Sequence, residues 1–477
     1  MLRFLKNILC FSLIVVNGLY AQVDNEILTI ENSLSPGIQF KGEKIQKKSV
    51  DQWLADQNIK NVSVAVFLNG KIRWAKGYGI ADPETNKKVD SNTLFQAASI
   101  SKPVAAWGVH FLVQKGLLDL DKNVNDYLRS WKLEENKFTE KQVVSLRHLM
   151  THTAGTTVHG FPGYAASASF PSDIEVLNGE GNTDKIIVDT FPGTINRYSG
   201  GGYTIMERVV EDVTEQSFSK FMDETVLSAM GMKNSTYAQP LPEDQLDDAC
   251  VAFYGTGMPI PGRWHSYPEQ AAAGLWTTPS DLARFLIGVQ KTYDGKNYLF
   301  KKNMAEVFLT RDSLGHGHGP AVFGEGKDKK FGHGGKNAGY TCNMMASVKG
   351  GFGLVIMSSS DNARPVIEAL ERAIAEQYNW DWAKPQVLEK VEISKEGLEK
   401  YTGNYFYKPA SITVKFYEEE NKLKLDSPFG QRIVLEYLGE DLFIDASDGT
   451  RIKFTYDDQG KINGLVQNGR ATLSKVD

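Results

Sequence analysis

The pattern of hydrophobic positions predicts a β-hairpin and then a long helix in the first quarter of the chain. A β-branched run is followed by the turn dipeptide Asn69-Gly70 and by a returning apolar run, which together predict a hairpin within residues 61–82. The spacing becomes helical from about residue 99 to Lys115, and Gly116 ends the helix. The chain therefore begins as a mixture of strands and helices.

Further elements of both kinds are predicted up to residue 380. They are a strand over residues 352–357 and helices over Ser145–Met150, Tyr203–Val213 and Pro365–Tyr378. Residues 156–196 differ, because they are rich in Gly, Pro, Ser and Thr and show little periodicity. A loop of that length inside a compact domain is usually a lid or a binding surface. We expect it to shape a pocket.

The character of the sequence changes after residue 385. Short alternating runs begin at Tyr401 and are separated by turn residues such as Pro428-Phe429-Gly430, which predicts a small antiparallel barrel or sandwich. The runs are Thr413–Phe416, Leu423–Leu425, Ile433–Leu438, Leu442–Ile444 and Arg451–Tyr456. We place a domain boundary near residue 390, with one domain over residues 22–385 and a second over 390–477.

The first 21 residues have the layout of a secretory signal peptide. Arg3 and Lys6 precede an apolar run, Ile8–Val16, that is too short to span a bilayer, and the small residue Ala21 stands at a suitable cleavage position. The alternative, a buried N-terminal helix, leaves the basic start unexplained. We expect an exported protein, periplasmic or extracellular, with no membrane span once the signal is removed.

Composition and charge narrow the class of protein. The 477 residues are 41% hydrophobic and 23% charged, which is ordinary for a folded protein, and the net charge is −5. Without a basic surplus to neutralise phosphates, nucleic acid is not an expected partner. Cys10 leaves with the signal, and Cys250 and Cys342 remain either as one bridge or as two buried thiols.

The first chemical signal is Ser99-Ile100-Ser101-Lys102. A serine and a lysine three residues apart on a helix lie one turn apart on the same face, so the hydroxyl and the amine can meet. A serine hydroxyl needs a base at neutral pH, and a desolvated, neutral lysine can supply one. The bland alternative is a solvated lysine on a helix surface, and the motif alone does not decide between them.

Further motifs give this pair a context. They are Thr93–Ala98, Ser145–Gly155, Arg197–Tyr203, Met230–Met232, Gly274–Leu282 and Phe331–Lys336. At these residues the chain resembles the serine β-lactamase and penicillin-binding-protein superfamily, and especially its class C-like branch of esterases and D-peptidases. The resemblance covers roughly residues 45–380. It implies an α+β fold, a β-lactamase/transpeptidase-like α/β sandwich in which an antiparallel sheet accompanies a helical domain.

The resemblance also implies roles for individual residues. Ser99 is the expected nucleophile of an acyl-enzyme, Lys102 accepts its proton, and Tyr198 shares the base role and relays a proton to the leaving group. The backbone N–H groups of Ser99 and Lys336 are expected to form an oxyanion hole. His333 stands where many relatives carry the Lys of K-T-G, and together with Gly334 and Gly335 it is expected to bind the substrate.

Two departures from the family pattern bear on the substrate. The family's Y-x-N reads Tyr198-Ser199-Gly200, so the Asn amide is absent, and His333 is a weaker partner for a carboxylate than Lys because it is mostly neutral near pH 7. We therefore expect a serine hydrolase that acts on an ester or on a small amide or peptide. The alternatives are a β-lactamase or penicillin-binding DD-peptidase, and a catalytically silent protein that binds cell-wall fragments.

No metal or cofactor is expected. His316 and His318 have a spacing that permits a shared face, but only Asp312 lies close by as a further ligand and no zinc spacing results. His148 and His152 are expected to make structural hydrogen bonds. The segment after residue 390 resembles the lipocalin-like β domains that follow such catalytic domains, beginning at Tyr401-Thr402-Gly403, and its role stays open.

Overall fold

A computed structural model describes residues 21–297, 299–426 and 432–476. The predicted signal peptide, apart from Ala21, lies outside the described residues, as does the predicted turn at Pro428-Phe429-Gly430. The described chain divides into two compact units, one formed by residues 21–24 and 50–367 and the other by 25–49 with the described residues of 368–476. The domain limits inferred from the sequence stay a prediction.

A seven-stranded antiparallel sheet forms the centre of the first unit. In spatial order its strands are Lys87–Lys88, Lys71–Asp82, Asn61–Leu68, Gly353–Ser358, Tyr340–Ser347, Lys330–Asn337 and Ala321–Phe323. The predicted hairpin supplies the strand Asn61–Leu68, in which seven of the eight residues are buried. Because both faces of this strand are covered, its apolar residues are continuous and do not alternate.

The first unit also contains a set of α-helices. They are Val50–Asp56, Ser101–Gln114, Leu146–Met150, Asp173–Asn178, Gly200–Thr214, Phe218–Met222, Ser228–Met230, Gln270–Ala273, Pro279–Tyr293 and Lys302–Phe308. The helix Ser101–Gln114 is buried along almost its whole length, as expected for a helix at the centre of a core. Arg364–Tyr378 forms a further helix that crosses the division between the units.

The long segment 156–196 is less irregular than its composition indicated. It contains the helix Asp173–Asn178, which begins at Ser172 with a capping box: the Ser172 hydroxyl accepts the Glu175 N–H, and the Glu175 carboxylate accepts the Ser172 N–H. The sequence predicts a long loop with little periodicity, and the structure differs in containing this helix. Ser-x-x-Glu at positions 172–175 was the available signal.

The second unit contains a closed barrel of eight antiparallel strands. The strands are Gly403–Tyr407, Ile412–Glu419, Lys422–Asp426, Arg432–Tyr437, Leu442–Asp445, Arg451–Tyr456, Ile462–Gln467 and Ala471–Val476, and the last pairs with the first. Inward-facing aromatic and aliphatic residues fill the barrel core. The helix Lys395–Glu399 and a short parallel pair, Ile38–Phe40 with Gln386–Leu388, complete the unit. The predicted fold class, an α+β domain followed by a small barrel, is confirmed.

Candidate active site

Ser99 lies in a tight turn at the start of the central helix. The residues Ala98–Ile100 form one 3₁₀ turn, after which the α-helix Ser101–Gln114 begins. Ala98 has a φ of 49°, a left-handed conformation that costs energy for a residue with a Cβ and is concentrated at functional sites. Since Ser99 is in the first turn, its N–H has no acceptor within the helix and faces outward from the helix start.

Lys102 is the immediate partner of Ser99. Its Nζ atom lies 3.1 Å from Ser99 Oγ and donates a 2.8 Å hydrogen bond to the carbonyl oxygen of Ala272. The side chain is 2% exposed, and it makes no ion pair with any carboxylate in the described part of the chain. A buried amine bonded only to neutral oxygens is placed to exchange a proton with the serine hydroxyl.

Tyr198 lies beside the same amine. The centre of its ring is 5.1 Å from Lys102 Nζ, and the centre of the Tyr203 ring is 5.7 Å from the same atom. Tyr198 precedes Ser199, whose hydroxyl accepts the Gly202 N–H and caps the helix Gly200–Thr214. The structure therefore brings Ser99, Lys102 and Tyr198 together, although they come from two segments nearly a hundred residues apart.

The strand Lys330–Asn337 runs next to the Ser99 turn. A Cβ atom added at Gly335 would lie 2.3 Å from the Ala97 carbonyl oxygen and 3.2 Å from the Ala98 Cβ, so only glycine permits this approach. The end of the strand is held by Asn337, whose side-chain amide donates to the Gln96 side chain at 2.8 Å and to the Ala273 carbonyl at 3.1 Å. The strand is thereby anchored on the side of the nucleophile.

Lys336 uses its side chain outside the cleft. Its ammonium group forms an ion pair with the Asp361 carboxylate and donates a 2.6 Å hydrogen bond to the Asp361 carbonyl oxygen. The same carboxylate accepts the Gly339 N–H at 2.9 Å, which ties down the turn that follows the strand. Only the backbone of Lys336 is therefore available as a donor to a substrate.

His333 lies in the strand at the position predicted for substrate binding. Its ring is half-buried, and Nδ1 is 2.6 Å from the carbonyl oxygen of Gly334. Burial in the cleft and the nearby charge of Lys102 lower the pKa of His333, so that the imidazole is neutral at pH 7. The ring centre lies 6.2 Å from that of Tyr198, which places it on the edge of the same site.

His316, His318 and the two cysteines Cys250 and Cys342 are packed within the fold. His316 packs its ring against His152, whereas His318 stacks on His110, and no group of three or more potential ligands is placed to hold a metal ion among the described residues. Cys250 and Cys342 are separate buried thiols, so they do not form the bridge left open by the sequence. In the described ranges, no helix has the length and apolar character needed to cross a bilayer.

One residue of the site was underrated by the sequence interpretation. His152 was expected to make a structural hydrogen bond, and its Nδ1 does accept the Ser199 N–H at 3.1 Å. Its ring, however, also lies against Tyr198, with 4.2 Å between the ring centres. No local signal connects residues 152 and 198, because their contact depends on how two distant segments meet.

Comparison with known proteins assigns the family. The family model described as Beta-lactamase matches residues 47–379, most of the chain. A beta-lactamase of Pseudomonas fluorescens is 28% identical over 253 residues, 51% of this chain and 63% of that protein. Protein flp of Staphylococcus aureus strain N315 is 24% identical over 244 residues, 49% of this chain and 44% of that protein. The chain thus spans less than two thirds of the length of these relatives.

Solved structures share the fold at low sequence identity. The octameric penicillin-binding protein homologue of Pyrococcus abyssi has a TM-score of 0.62 and 21% identity, covering 89% of this chain and 98% of that one. The D-amino acid amidase of Ochrobactrum anthropi SV3 has a TM-score of 0.57 and 20% identity, covering 75% and 98%. Together with the family match and the arrangement around Ser99, these findings show that the chain belongs to the beta-lactamase family.

Proposed function

We propose that the protein is a serine hydrolase that forms an acyl-enzyme on Ser99 and acts on an ester or on a small amide or peptide. The observation that carries the proposal is the 3.1 Å contact between Ser99 Oγ and the buried Nζ of Lys102. A nucleophile and a base within hydrogen-bond reach, the base free of any carboxylate partner, form the arrangement that covalent catalysis requires.

In the acylation step, Ser99 is the nucleophile, Lys102 is the base and Tyr198 passes a proton to the leaving group. Lys102 in its neutral form takes the proton of the Ser99 hydroxyl as Oγ attacks the substrate carbonyl carbon. The charge that develops on the carbonyl oxygen is stabilised by the backbone N–H groups of Ser99 and Lys336. The bond to the leaving alcohol or amine then breaks, and the leaving group receives a proton through Tyr198.

Deacylation reverses the proton path. A water molecule loses a proton to the Lys102 and Tyr198 pair as it attacks the acyl carbon. The bond to Ser99 Oγ breaks, the hydroxyl is restored with the proton from Lys102, and the acid product leaves. No cofactor takes part in the scheme, since every proton is carried by residues of the site.

Two features favour an uncharged ester or amide over a β-lactam carboxylate. His333 is neutral, which deprives the strand of the cation that a carboxylate would seek, and Gly200 supplies no amide side chain. A β-lactamase or a DD-peptidase is the second candidate, and the beta-lactamase of Pseudomonas fluorescens among the relatives supports it. We also propose export to the periplasm or the medium, on the basis of the N-terminal residues 1–21.

The test follows the covalent intermediate directly. Wild type, Ser99→Ala and Ser101→Ala are incubated with a fluorophosphonate and weighed intact, and turnover of p-nitrophenyl acetate and nitrocefin is measured beside them. Ser101 is the matched control, because its hydroxyl accepts the Leu275 N–H at 3.0 Å and does not face Lys102. We expect wild type and Ser101→Ala to gain one label and hydrolyse the ester, and Ser99→Ala to do neither.

The alternatives give other outcomes. Faster turnover of nitrocefin than of the ester would favour the β-lactamase or peptidase. A wild-type protein that takes no label and turns over neither substrate would reject the hydrolase and favour a silent protein that binds cell-wall fragments.

A further inference from the structure

His152 occupies an unusual place next to the proposed catalytic residues. It follows the helix Leu146–Met150, is 1% exposed, and has a φ of 58°. The left-handed region is disfavoured for residues with a Cβ, and it is persistent only where the surroundings fix it. The structure therefore maintains a strained backbone at a fully buried imidazole.

Three contacts join this residue to the segment that carries Tyr198. The carbonyl oxygen of His152 accepts the Arg197 N–H at 2.8 Å, and its Nδ1 accepts the Ser199 N–H at 3.1 Å. Between these two hydrogen bonds the rings of His152 and Tyr198 lie 4.2 Å apart and inclined by 33°. The backbone is thus held on both sides of Tyr198 by one residue, which also supports the phenol ring.

The acceptor role fixes the state of the imidazole. An Nδ1 that accepts an N–H carries no proton, so the proton of the neutral ring is on Nε2. Burial, and then the neighbouring His316 and Lys102, lower the pKa of His152 well below its usual value. The imidazole is therefore unprotonated on Nδ1 at neutral pH, and Nδ1 continues to accept the Ser199 N–H.

We propose that His152 is a positioning residue that holds the Tyr198 phenol beside Lys102, an inference that rests on the proposed function. It touches neither Ser99 nor the substrate-binding strand in any hydrogen bond of the described chain, and it acts through Tyr198. Without the acceptor, the Ser199 N–H is buried and unpaired, and the backbone next to Tyr198 loses one hydrogen bond. The segment stays attached elsewhere, because the Ser199 hydroxyl bonds to the Thr157 and Val158 carbonyl oxygens. His159 Nδ1 also bonds to the Tyr198 carbonyl oxygen, so the loss affects the position of the phenol and not the fold of the segment. The phenol then samples positions away from the amine.

Two substitutions separate positioning from packing. His152→Asn keeps a side-chain acceptor for the Ser199 N–H and tolerates positive φ, but it removes the ring. His152→Phe keeps a ring against Tyr198 and removes the acceptor. If His152 only fills space, the Phe variant resembles wild type, whereas positioning through the hydrogen bond favours the Asn variant.

We expect p-nitrophenyl acetate turnover to follow the acceptor. His152→Phe should lower kcat about tenfold or more with KM within about twofold, while His152→Asn should stay within about threefold of wild type. Thermal unfolding and the fraction that takes one fluorophosphonate label correct for misfolded protein. A Phe variant as active as wild type, or an equal loss in both variants, would overturn the proposal.

A second readout does not need turnover. 3-Fluorotyrosine placed at position 198 reports the mobility of the phenol through its ¹⁹F NMR signal. We expect one narrow line in wild type and His152→Asn, and a broadened or split line in His152→Phe. A single narrow line in the Phe variant refutes the positioning role even if the protein is catalytically inactive, whereas loss of turnover in wild type with the expected line shapes refutes only the proposed hydrolase function.

Discussion

Two lysines are almost completely removed from solvent among the described residues, one in each unit of the chain. Lys102 is 2% exposed and bonds to the Ser99 hydroxyl and the Ala272 carbonyl oxygen. Lys424 in the barrel is 6% exposed, and its ammonium pairs with the Glu419 and Glu420 carboxylates at 2.7 and 2.9 Å. Both ammonium groups are buried, but only that of Lys424 has carboxylate counter-ions. Lys102 has none among the described residues.

The two units also differ in how completely their buried polar groups are paired. The barrel core is built from packed aromatic rings, with Tyr401, Phe443 and Phe454 at 4.7 to 5.6 Å between ring centres. Residues 403–476, as far as they are described, contain no buried polar side-chain atom without a partner, whereas the first unit leaves both Glu269 oxygens and His152 Nε2 unpaired. A buried polar atom without a partner costs stability, so the first unit tolerates a cost that the barrel avoids.

The largest expected effect on activity comes from removing the Lys102 amine, and removing the Lys424 amine is its control. Lys102→Met keeps most of the volume and loses the proposed base, so we expect ester turnover to fall about 10²–10⁴-fold, the range that general-base catalysis contributes. Lys424→Met loses only two carboxylate partners, and we expect its turnover to match wild type. Steady-state kinetics on p-nitrophenyl acetate, normalised to folded protein by circular dichroism, measures both.

Two results would contradict the different roles given to Lys102 and Lys424. A Lys102→Met protein that retains more than about a tenth of wild-type turnover would mean that another group accepts the Ser99 proton. A Lys424→Met protein that folds normally but loses turnover would give the barrel lysine a part in the chemistry.

Glycines sharpen the comparison at the level of the backbone. Gly335→Ala would place a Cβ 2.3 Å from the Ala97 carbonyl oxygen, whereas Gly334→Ala meets nothing closer than the Cys342 carbonyl oxygen at 3.8 Å. We expect Gly335→Ala to push the strand away from the Ser99 turn and to lower kcat about 10–100-fold, with a loss of about 1–3 kcal/mol in stability. Gly334→Ala meets no close atom, so it is the matched control for stability and should unfold at the wild-type temperature.

The barrel offers the corresponding crowded glycine. A Cβ at Gly464 would lie 2.5 Å from the Leu473 carbonyl oxygen, so Gly464→Ala should lower the midpoint of thermal unfolding and leave kcat unchanged. The Gly335 prediction is rejected if its alanine variant loses stability without a change in kcat, because the close approach would then serve folding alone.

Local signals explain what the sequence predicted. The Ser99–Lys102 contact spans one helical turn, so spacing alone brings the pair together, and the hairpin within residues 61–82 is marked by its own turn. The barrel was recognisable because each short run alternates by itself. Tyr198 was reached only through the family resemblance, since no spacing relates it to Lys102.

Long-range contacts explain what was missed. The strand Lys330–Asn337 has three glycines, a composition that argues against a strand, and it is stabilised by pairing on both sides and by the space that Gly335 leaves. The contact of His152 with Tyr198 and the ion pair of Lys336 with Asp361 depend equally on tertiary structure. Such contacts leave no periodic trace in the sequence.

The two units should also differ in how their stability depends on pH, through Glu269 in the first unit and Asp441 in the barrel. The larger change in thermal midpoint is expected for Glu269. Burial raises the pKa of Glu269 to about 8, above its value in the unfolded chain. The folded state therefore holds a proton that the unfolded state has released, and stability is lost as the pH rises from the unfolded to the folded pKa. Glu269→Gln mimics the protonated acid, so its thermal midpoint should match wild type near pH 4.5 and exceed it by about 3 °C above pH 8.

The measurement is thermal unfolding by circular dichroism at several pH values. A difference between Glu269→Gln and wild type that is constant across pH would show that the amide changes packing and not ionisation. Glu207, whose pKa is also raised by burial, remains in both proteins and cancels in the comparison.

Asp441 in the barrel should behave in the opposite sense and with the smallest effect. Burial alone would raise its pKa, but hydrogen bonds from Tyr401 and Tyr456, at 2.6 and 2.5 Å, and the charge of Lys400 lower the pKa to about 2. Its stabilisation is present above the unfolded pKa and is lost as the pH falls through the folded value. Since the group is partly exposed, we expect Asp441→Asn to lower the thermal midpoint by only about 1–2 °C at pH 7 and by nothing near pH 2, with ester turnover unchanged.

Faster hydrogen exchange in the strands Leu442–Asp445 and Arg451–Tyr456 would localise the loss to the barrel, whereas a tenfold drop in turnover would contradict the purely structural role of this carboxylate.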